Sequence, residues 1–338
     1  MLTLGNHQKS DPAIAGPPAP GDHLADPRTR AALRLQHHLL IAGREYLTEA
    51  GFVELLPPVI GPVTDPGVRG AKQVDVDYYG HRFKLATSGI LYKQASLTAF
   101  DRIFNVAANV RLEPPEVCST ARHLVEFRQL DVELANAGRE EAMHVAEGLV
   151  KHMVRRILDQ HSALLDELGR DQEPLRLLVD LPFPVLPHPV AVTALHRRNY
   201  PQNPEAEIEW PAEVLLSREY DLPFFVTDYP RGSRGFYDRA DEENPNVLLN
   251  FDLLAPEGFG EISSGSEREY EYAKVVTRLR ETGENPAKYA WYLDMVRSGI
   301  PASAGFGIGV ERLTRWIAGL EATWQATAFP KLPGVVAP

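Results

Sequence analysis

Arg111, Glu113, Arg122, His123 and Phe127 lie in one segment, Asn109–Ala135, flanked by stretches of alternating apolar residues. Guanidinium and imidazole groups are planar donors suited to phosphate oxygens. A phenylalanine among them is placed to stack on a purine. Alternation explains how one face could collect them, because successive side chains of a strand point to opposite faces. On Phe104–Glu113, one face carries Phe104, Val106, Ala108, Val110 and Leu112, and the other carries Asn105, Ala107, Asn109, Arg111 and Glu113. The returning strand sets Leu130, Val132 and Leu134 against Phe127, Gln129, Asp131 and Glu133. A solvated face would alternate in the same way, but such faces are ordinarily built from Lys, Glu and Thr. The Arg and His content here favours a nucleotide.

Two acids could bring a metal to that nucleotide. Asp252 and Glu261 flank a Pro-Gly turn in "NFDLLAPEGFGEISSG", and nucleotide-borne Mg²⁺ takes one or two carboxylates beside phosphate oxygens and water. Acids near turns are also ordinary surface residues. Further on, "GFGIGVERLTRWIAGL" has Leu313, Trp316, Ile317 and Leu320 at the spacing of a helix core stripe, with Glu311 and Arg312 in the first turn. Gly305, Gly307 and Gly309 permit close approach of another group to the preceding strand. They form neither a dinucleotide fingerprint nor a phosphate-binding P-loop. Lys93 and Arg268 read by default as solvated charges, Arg268 at the start of a helix.

The elements that must position these residues follow from the apolar pattern. Arg28–Ala50 is helical, with Gly51 as its stop, and "GFVELLPPVI" is a strand interrupted by Pro57-Pro58 at a sheet edge or interface. Arg82–Leu97 turns from strand to helix, Glu140–Leu168 is helical up to Gly169, and "PFFVTDYP" is a strand. Residues 1–27 are rich in Pro, Gly and Ala, without periodicity, and are expected to form a loose arm ahead of one domain spanning 28–338. Hairpins and irregular loops outnumber crossover helices, so the expected class is α+β, an antiparallel β-sheet flanked by helices.

The bulk composition narrows the partners. In 338 residues with a net charge of −11 there is little general affinity for phosphate backbones. Small-molecule partners and no nucleic acid are therefore expected. Cys118 is the single cysteine, so no intrachain disulfide forms and a reducing compartment fits. The amino terminus has no secretory pattern, and no long apolar run follows. A soluble cytoplasmic protein with no membrane partner is expected.

Taken in order, these segments resemble the class II aminoacyl-tRNA synthetase catalytic core of the aspartate/asparagine branch, over about Arg28 to Gly334. "GFVELLPPVI" is similar to motif 1, "VRLE" with "TARHLVEFRQLDVE" to motif 2, and "GFGIGVER" to motif 3. Within the branch, the likeness is greatest to archaeal asparagine synthetase-related proteins (asparagine synthetase A-type), which lack an anticodon-binding domain. That resemblance implies an AMP-forming ligase that activates aspartate with ATP and Mg²⁺ and passes it to ammonia. It also implies a homodimer built on motif 1.

The resemblance also implies roles for individual residues. Arg111 would hold the α-phosphate and the activated carboxylate, Glu113 the adenine amino group, and Arg122 and His123 the β- and γ-phosphates. Phe127 would stack on adenine, and Arg312 would clamp the γ-phosphate or the ring's other face. Asp252 and Glu261 match metal positions. Lys93 and Arg268 match residues gripping aspartate, with Ser88 and Ser264 nearby. Where the synthetases carry an acid and two glycines, "VRGAK" supplies Arg69 and Lys72, expected to grip the α-carboxylate. Ser88-Gly89-Ile90 and Ala302-Ser303-Ala304-Gly305 also depart from the synthetase pattern. These departures, with only a Pro-rich arm where an N-terminal barrel would stand, point away from transfer to tRNA. Three other readings stay open: an adenylate-forming ligase using a different nitrogen nucleophile, a truncated aspartyl- or asparaginyl-tRNA synthetase, and a non-catalytic nucleotide-binding paralogue.

Overall fold

The computed structural model describes residues 16–66 and 71–336. An eight-stranded sheet runs β1-β5-β6-β11-β10-β9-β8-β7. Its strands are β1 (Val53–Glu54), β5 (Arg102–Val110), β6 (Glu126–Ala135), β7 (Val185–Pro187), β8 (Phe224–Thr227), β9 (Asn250–Ala255), β10 (Gly260–Arg268) and β11 (Ser303–Gly309). A smaller sheet contains β2 (Ile60–Gly61), β3 (Asp75–Tyr78) and β4 (His81–Leu85). The large sheet is antiparallel through its centre, but β1 pairs parallel with β5 and β7 parallel with β8. It is thus mixed, not purely antiparallel. Both parallel partners are short edge strands, which require no regular βαβ crossover.

The hairpin forms as the alternation requires. β5 and β6 pair antiparallel with Phe104 opposite Val132, Asn105 opposite Asp131 and Asn109 opposite Phe127. Phe104, Leu130, Val132 and Leu134 are buried in the main core beneath helices Pro27–Glu49 and Arg139–Gln160. The opposite face, bearing Asn105, Asp131 and Glu133, supplies the site. The helix Val310–Ala318 buries Leu313, Trp316 and Ile317, and Gly319 ends it at φ 63°. That packing fixes where its first turn presents Arg312.

Three local expectations differ from the structure. Residues 20–25 form a short helix in which His23 is buried, its Nε2 2.8 Å from the Thr327 carbonyl oxygen. This part of the expected loose arm is therefore docked, while residues 1–15 lie outside the described residues. Arg268 ends strand β10 and does not begin a helix; the next helix starts at Tyr272. The run 140–168 is two helices, Arg139–Gln160 and Ser162–Leu168, joined at His161.

Candidate active site

One cavity of about 690 Å³ opens on the charged face, within the range that holds small ligands and cofactors. Arg111, Glu113, Arg122, His123 and Phe127 reach it from β6 and the loops joining it to β5. Glu261, Ser264 and Arg268 come from β10, Ser88 and Lys93 from the turn and helix after β4, and Arg312 from the closing helix. Two expected residues are not on this wall. Lys72 is exposed and pairs through its backbone with Leu112, its N–H donating to the Leu112 carbonyl at 2.9 Å. Asp252 is buried behind the wall, and Arg69 falls outside the described residues.

At one end the cations converge. Arg122 donates to Glu261 at 2.5 Å and to Glu213, while Arg312 donates to the other Glu261 oxygen at 3.2 Å. Arg111 donates to the Thr87 carbonyl at 3.1 Å, and its guanidinium lies 5.1 Å from the centroid of the Phe127 ring. Burial pushes the Arg312 pKa down to about 10, and Arg122 adds to the fall. Burial likewise lowers His123 to about 3, with Arg312 and Arg122 contributing, so its ring is neutral; Nδ1 lies 2.6 Å from the Thr120 hydroxyl. Cations crowded this closely create a site for a polyanion.

At the other end the charges are paired in advance. Lys93 is buried, 3.0 Å from Asp131 Oδ1 and 3.5 Å from Glu133. Arg268 makes a bidentate pair with Glu133 at 2.8 and 3.1 Å and lies 3.7 Å from Asp238. Both cations read by default as solvated are thus interior. Asp131 Oδ2 is buried without a hydrogen-bond partner, and Asp131 lines the cavity. The glycine strand β11 makes this possible. A Cβ on Gly305 would fall on a Glu133 carboxylate oxygen, and one on Gly307 would come 2.5 Å from Asp131 Oδ1. The group that approaches this strand is therefore a carboxylate pair on β6.

Reading the sequence left out several wall residues: Glu207, Glu213, Arg234 and Asp238 come from the middle of the chain. Arg234 pairs with Asp252 and, at 2.7 Å, with Glu207, and donates to the Ser264 hydroxyl at 3.0 Å. Only their placement in three dimensions marks them. Among the described residues, no group of three or more His, Cys, Asp or Glu forms a self-sufficient metal site. A metal carried by a nucleotide needs fewer protein ligands. Glu261 on the wall suits that role, as does Asp252 Oδ1, which is buried without a hydrogen-bond partner.

A sheet that brings arginines from a hairpin and from a closing helix onto one cavity is the class II aminoacyl-tRNA synthetase catalytic fold. The family model of tRNA synthetases class II (D, K and N) matches residues 22–333. The asparagine–tRNA ligase of Pyrococcus abyssi is 35% identical over 94% of this chain and 71% of its own length. That of Thermus thermophilus is 35% identical over 90% and 70%. The structure of asparaginyl-tRNA synthetase from Pyrococcus horikoshii complexed with asparaginyl-adenylate matches with a TM-score of 0.88 at 32% identity, over 94% of this chain and 72% of that one. The chain belongs to the class II tRNA synthetase family (D, K and N) and is similar to its asparaginyl members. Enzymes of this family are ligases that use ATP with Mg²⁺.

These likenesses correct two expectations. The asparagine-synthetase reading gives way, because relatives aligned over nine-tenths of the chain are ligases of tRNA. The expectation of no nucleic-acid partner falls with it. The first rested on a likeness to archaeal asparagine synthetase-related proteins and on a few altered motif residues, and the second on net charge and on the Pro-rich stretch ahead of Arg28. Net charge is a property of the whole chain and does not sense a local contact with the end of one RNA strand. Among the described residues, no helix is long and apolar enough to cross a membrane.

Proposed function

We propose that this chain activates asparagine as an aminoacyl adenylate and transfers it to the 3′ end of a tRNA. The observation that carries the reading is the division of one cavity into an end where Arg111, Arg122 and Arg312 meet around Glu213 and Glu261, and an end where Lys93 and Arg268 are paired with Asp131 and Glu133. Arg111, Arg122 and Arg312 would receive the triphosphate of ATP, with Phe127 and Glu113 at the base. Glu261 and Asp252 would hold Mg²⁺, which supplies charge neutralisation on the phosphates. Asp131 Oδ2 is a buried acceptor suited to the substrate's α-ammonium group. The Arg268–Glu133 pair offers a donor and an acceptor side by side, as a carboxamide requires.

The chemistry needs no protein nucleophile. An α-carboxylate oxygen of the amino acid attacks the α-phosphorus, forming the acyl–phosphate bond as the bond to pyrophosphate breaks. Arg111 is placed to offset the charge that develops on the phosphoryl oxygens. A terminal ribose hydroxyl of the tRNA then attacks the acyl carbon, AMP departs with the bonding pair, and the hydroxyl proton passes to solvent or phosphate. Similarity to the asparagine–tRNA ligases supports this second step.

Lys93 favours a second reading, aspartate as the amino acid, because it adds a positive charge beside Arg268. Pyrophosphate exchange into ATP with asparagine, aspartate or lysine decides between them. Exchange with asparagine is the expected result, exchange with aspartate alone selects the second reading, and exchange with neither sinks both. Acylation of total tRNA tests the transfer. The exposed Val53, Leu56 and Val59 around Pro57-Pro58 further support a homodimer, since they leave apolar side chains uncovered in the single chain.

A further inference from the structure

Glu213 lies in the short helix Trp210–Ser217, in a part of the chain that resembles none of the three motifs. It is 5% exposed, and nothing in its sequence surroundings marks it as functional. Yet its Oε2 accepts from Arg122 Nη1 and, at 3.0 Å, from the backbone N–H of Glu261. One buried carboxylate thereby ties an arginine of the phosphate end to the strand that carries the metal candidate. Gly260, at φ 73°, leaves the space for it, since a Cβ there would come 3.0 Å from the same Glu213 oxygen.

Arg122 is shared. Its Nη2 is held by Glu261, which also takes Arg312, and its Nε is buried without an acceptor. Each Glu261 oxygen takes one guanidinium, so a nucleotide-borne metal would compete with Arg122 and Arg312 for that carboxylate, and Arg122 must stay in place to serve phosphates when its hold on Glu261 weakens. Glu213 is the partner that does not have to move.

We propose that Glu213 is a positioning residue for nucleotide binding: it anchors Arg122 while Glu261 exchanges its guanidinium partners for metal. Without it, Arg122 and Glu261 close into a private ion pair that Mg–ATP must break. The inference rests on the reading of the cavity as an ATP site.

The test is Mg–ATP binding by calorimetry, with steady-state pyrophosphate exchange alongside, for wild type, Glu213→Gln, Arg122→Ala and the double variant. Glu213→Gln keeps the shape and an acceptor for the Glu261 N–H, which protects the fold, and circular dichroism checks it. Removing one charge-assisted bond predicts Mg–ATP affinity weakened about tenfold or more. The KM for the amino acid should stay within about twofold. The double variant should bind Mg–ATP no worse than Arg122→Ala alone, because Glu213 acts through Arg122. Wild-type affinity in Glu213→Gln, an equal rise in both KM values, or additive losses in the double variant would overturn the proposal. A wild type that binds Mg–ATP but charges no tRNA would refute the proposed function and leave this inference standing. A wild type that ignores Mg–ATP would overturn both.

Discussion

Lys93 Nζ lies 3.0 Å from Asp131 Oδ1, both side chains are 3% exposed, and the second Asp131 oxygen has no hydrogen-bond partner. The pair is therefore held on one side and open on the other. Asp131→Asn should raise the KM for the amino acid about tenfold while leaving the KM for ATP nearly unchanged, since a neutral amide loses the charge-assisted bond to an ammonium. Steady-state exchange kinetics with each substrate varied in turn check this. Equal changes in both constants would remove Asp131 from the amino-acid end.

Lys93→Met leaves Asp131 buried without its cation and Glu133 with Arg268 alone. Breaking a buried pair from one side typically costs about 3–5 kcal/mol. A urea midpoint lowered to that degree is expected, and a change below about 1 kcal/mol would mean that water reaches the pair.

His123 gives a pH signature. Its folded pKa, about 3, lies below the ordinary value of 6.5, so the unfolded chain binds the proton first. The sign follows: stability is complete above pH 6.5 and is lost as pH falls from there toward 3. His123→Asn removes this penalty. Relative to wild type it should gain about 1 kcal/mol between pH 7.5 and pH 5.5, read from thermal or urea unfolding. A gap independent of pH would show that the folded ring takes up its proton at the same pH as the unfolded one.

Gly305→Ala should damage the amino-acid end through packing alone. The added methyl meets a Glu133 oxygen and the Val132 carbonyl across the β6–β11 ladder, so Glu133 must leave Arg268 or the strands must part. Destabilisation of about 1–3 kcal/mol is expected from overpacking. Exchange with the amino acid should fall further than Mg–ATP binding, and a variant with wild-type exchange would show that Glu133 does not need that position.

The gathering of arginines at one end of the cavity was legible and the paired charges at the other end were only half so, for a physical reason. Period-two alternation fixes which residues of a hairpin share a face, so Arg111, Asp131 and Glu133 fall together once strands β5 and β6 are assumed to pair. The stripe Leu313, Trp316, Ile317 likewise sets Arg312 in the closing helix. Lys93 and Arg268 look like surface charges in sequence because the carboxylates that make their burial tolerable lie far along the chain, at Asp131 and Glu133. Arg234 has the same character: it pairs with Asp252, a partner far from it in sequence that no local pattern announces. Long-range charge neutralisation leaves no local pattern. The mixed edges of the sheet were missed because β1 and β7 are too short to show a period.

If motif 1 forms the interface, the native mass should be twice 37.6 kDa. Leu56 is 88% exposed in the single chain. Leu56→Asp should therefore lower the mass measured by sedimentation to that of one chain, since a charge at the centre of an apolar contact opposes association. A wild-type mass of one chain would end the dimer reading.

The central claim is that one cavity holds ATP at its cationic end and an amino acid at its paired end, in reach of each other. Pyrophosphate exchange by the purified wild type, measured with and without asparagine or aspartate, tests it most directly. Label should enter ATP only when one of these amino acids is present, and Arg111→Ala should abolish it. Exchange that proceeds without any amino acid, or survives the loss of Arg111, would contradict the account.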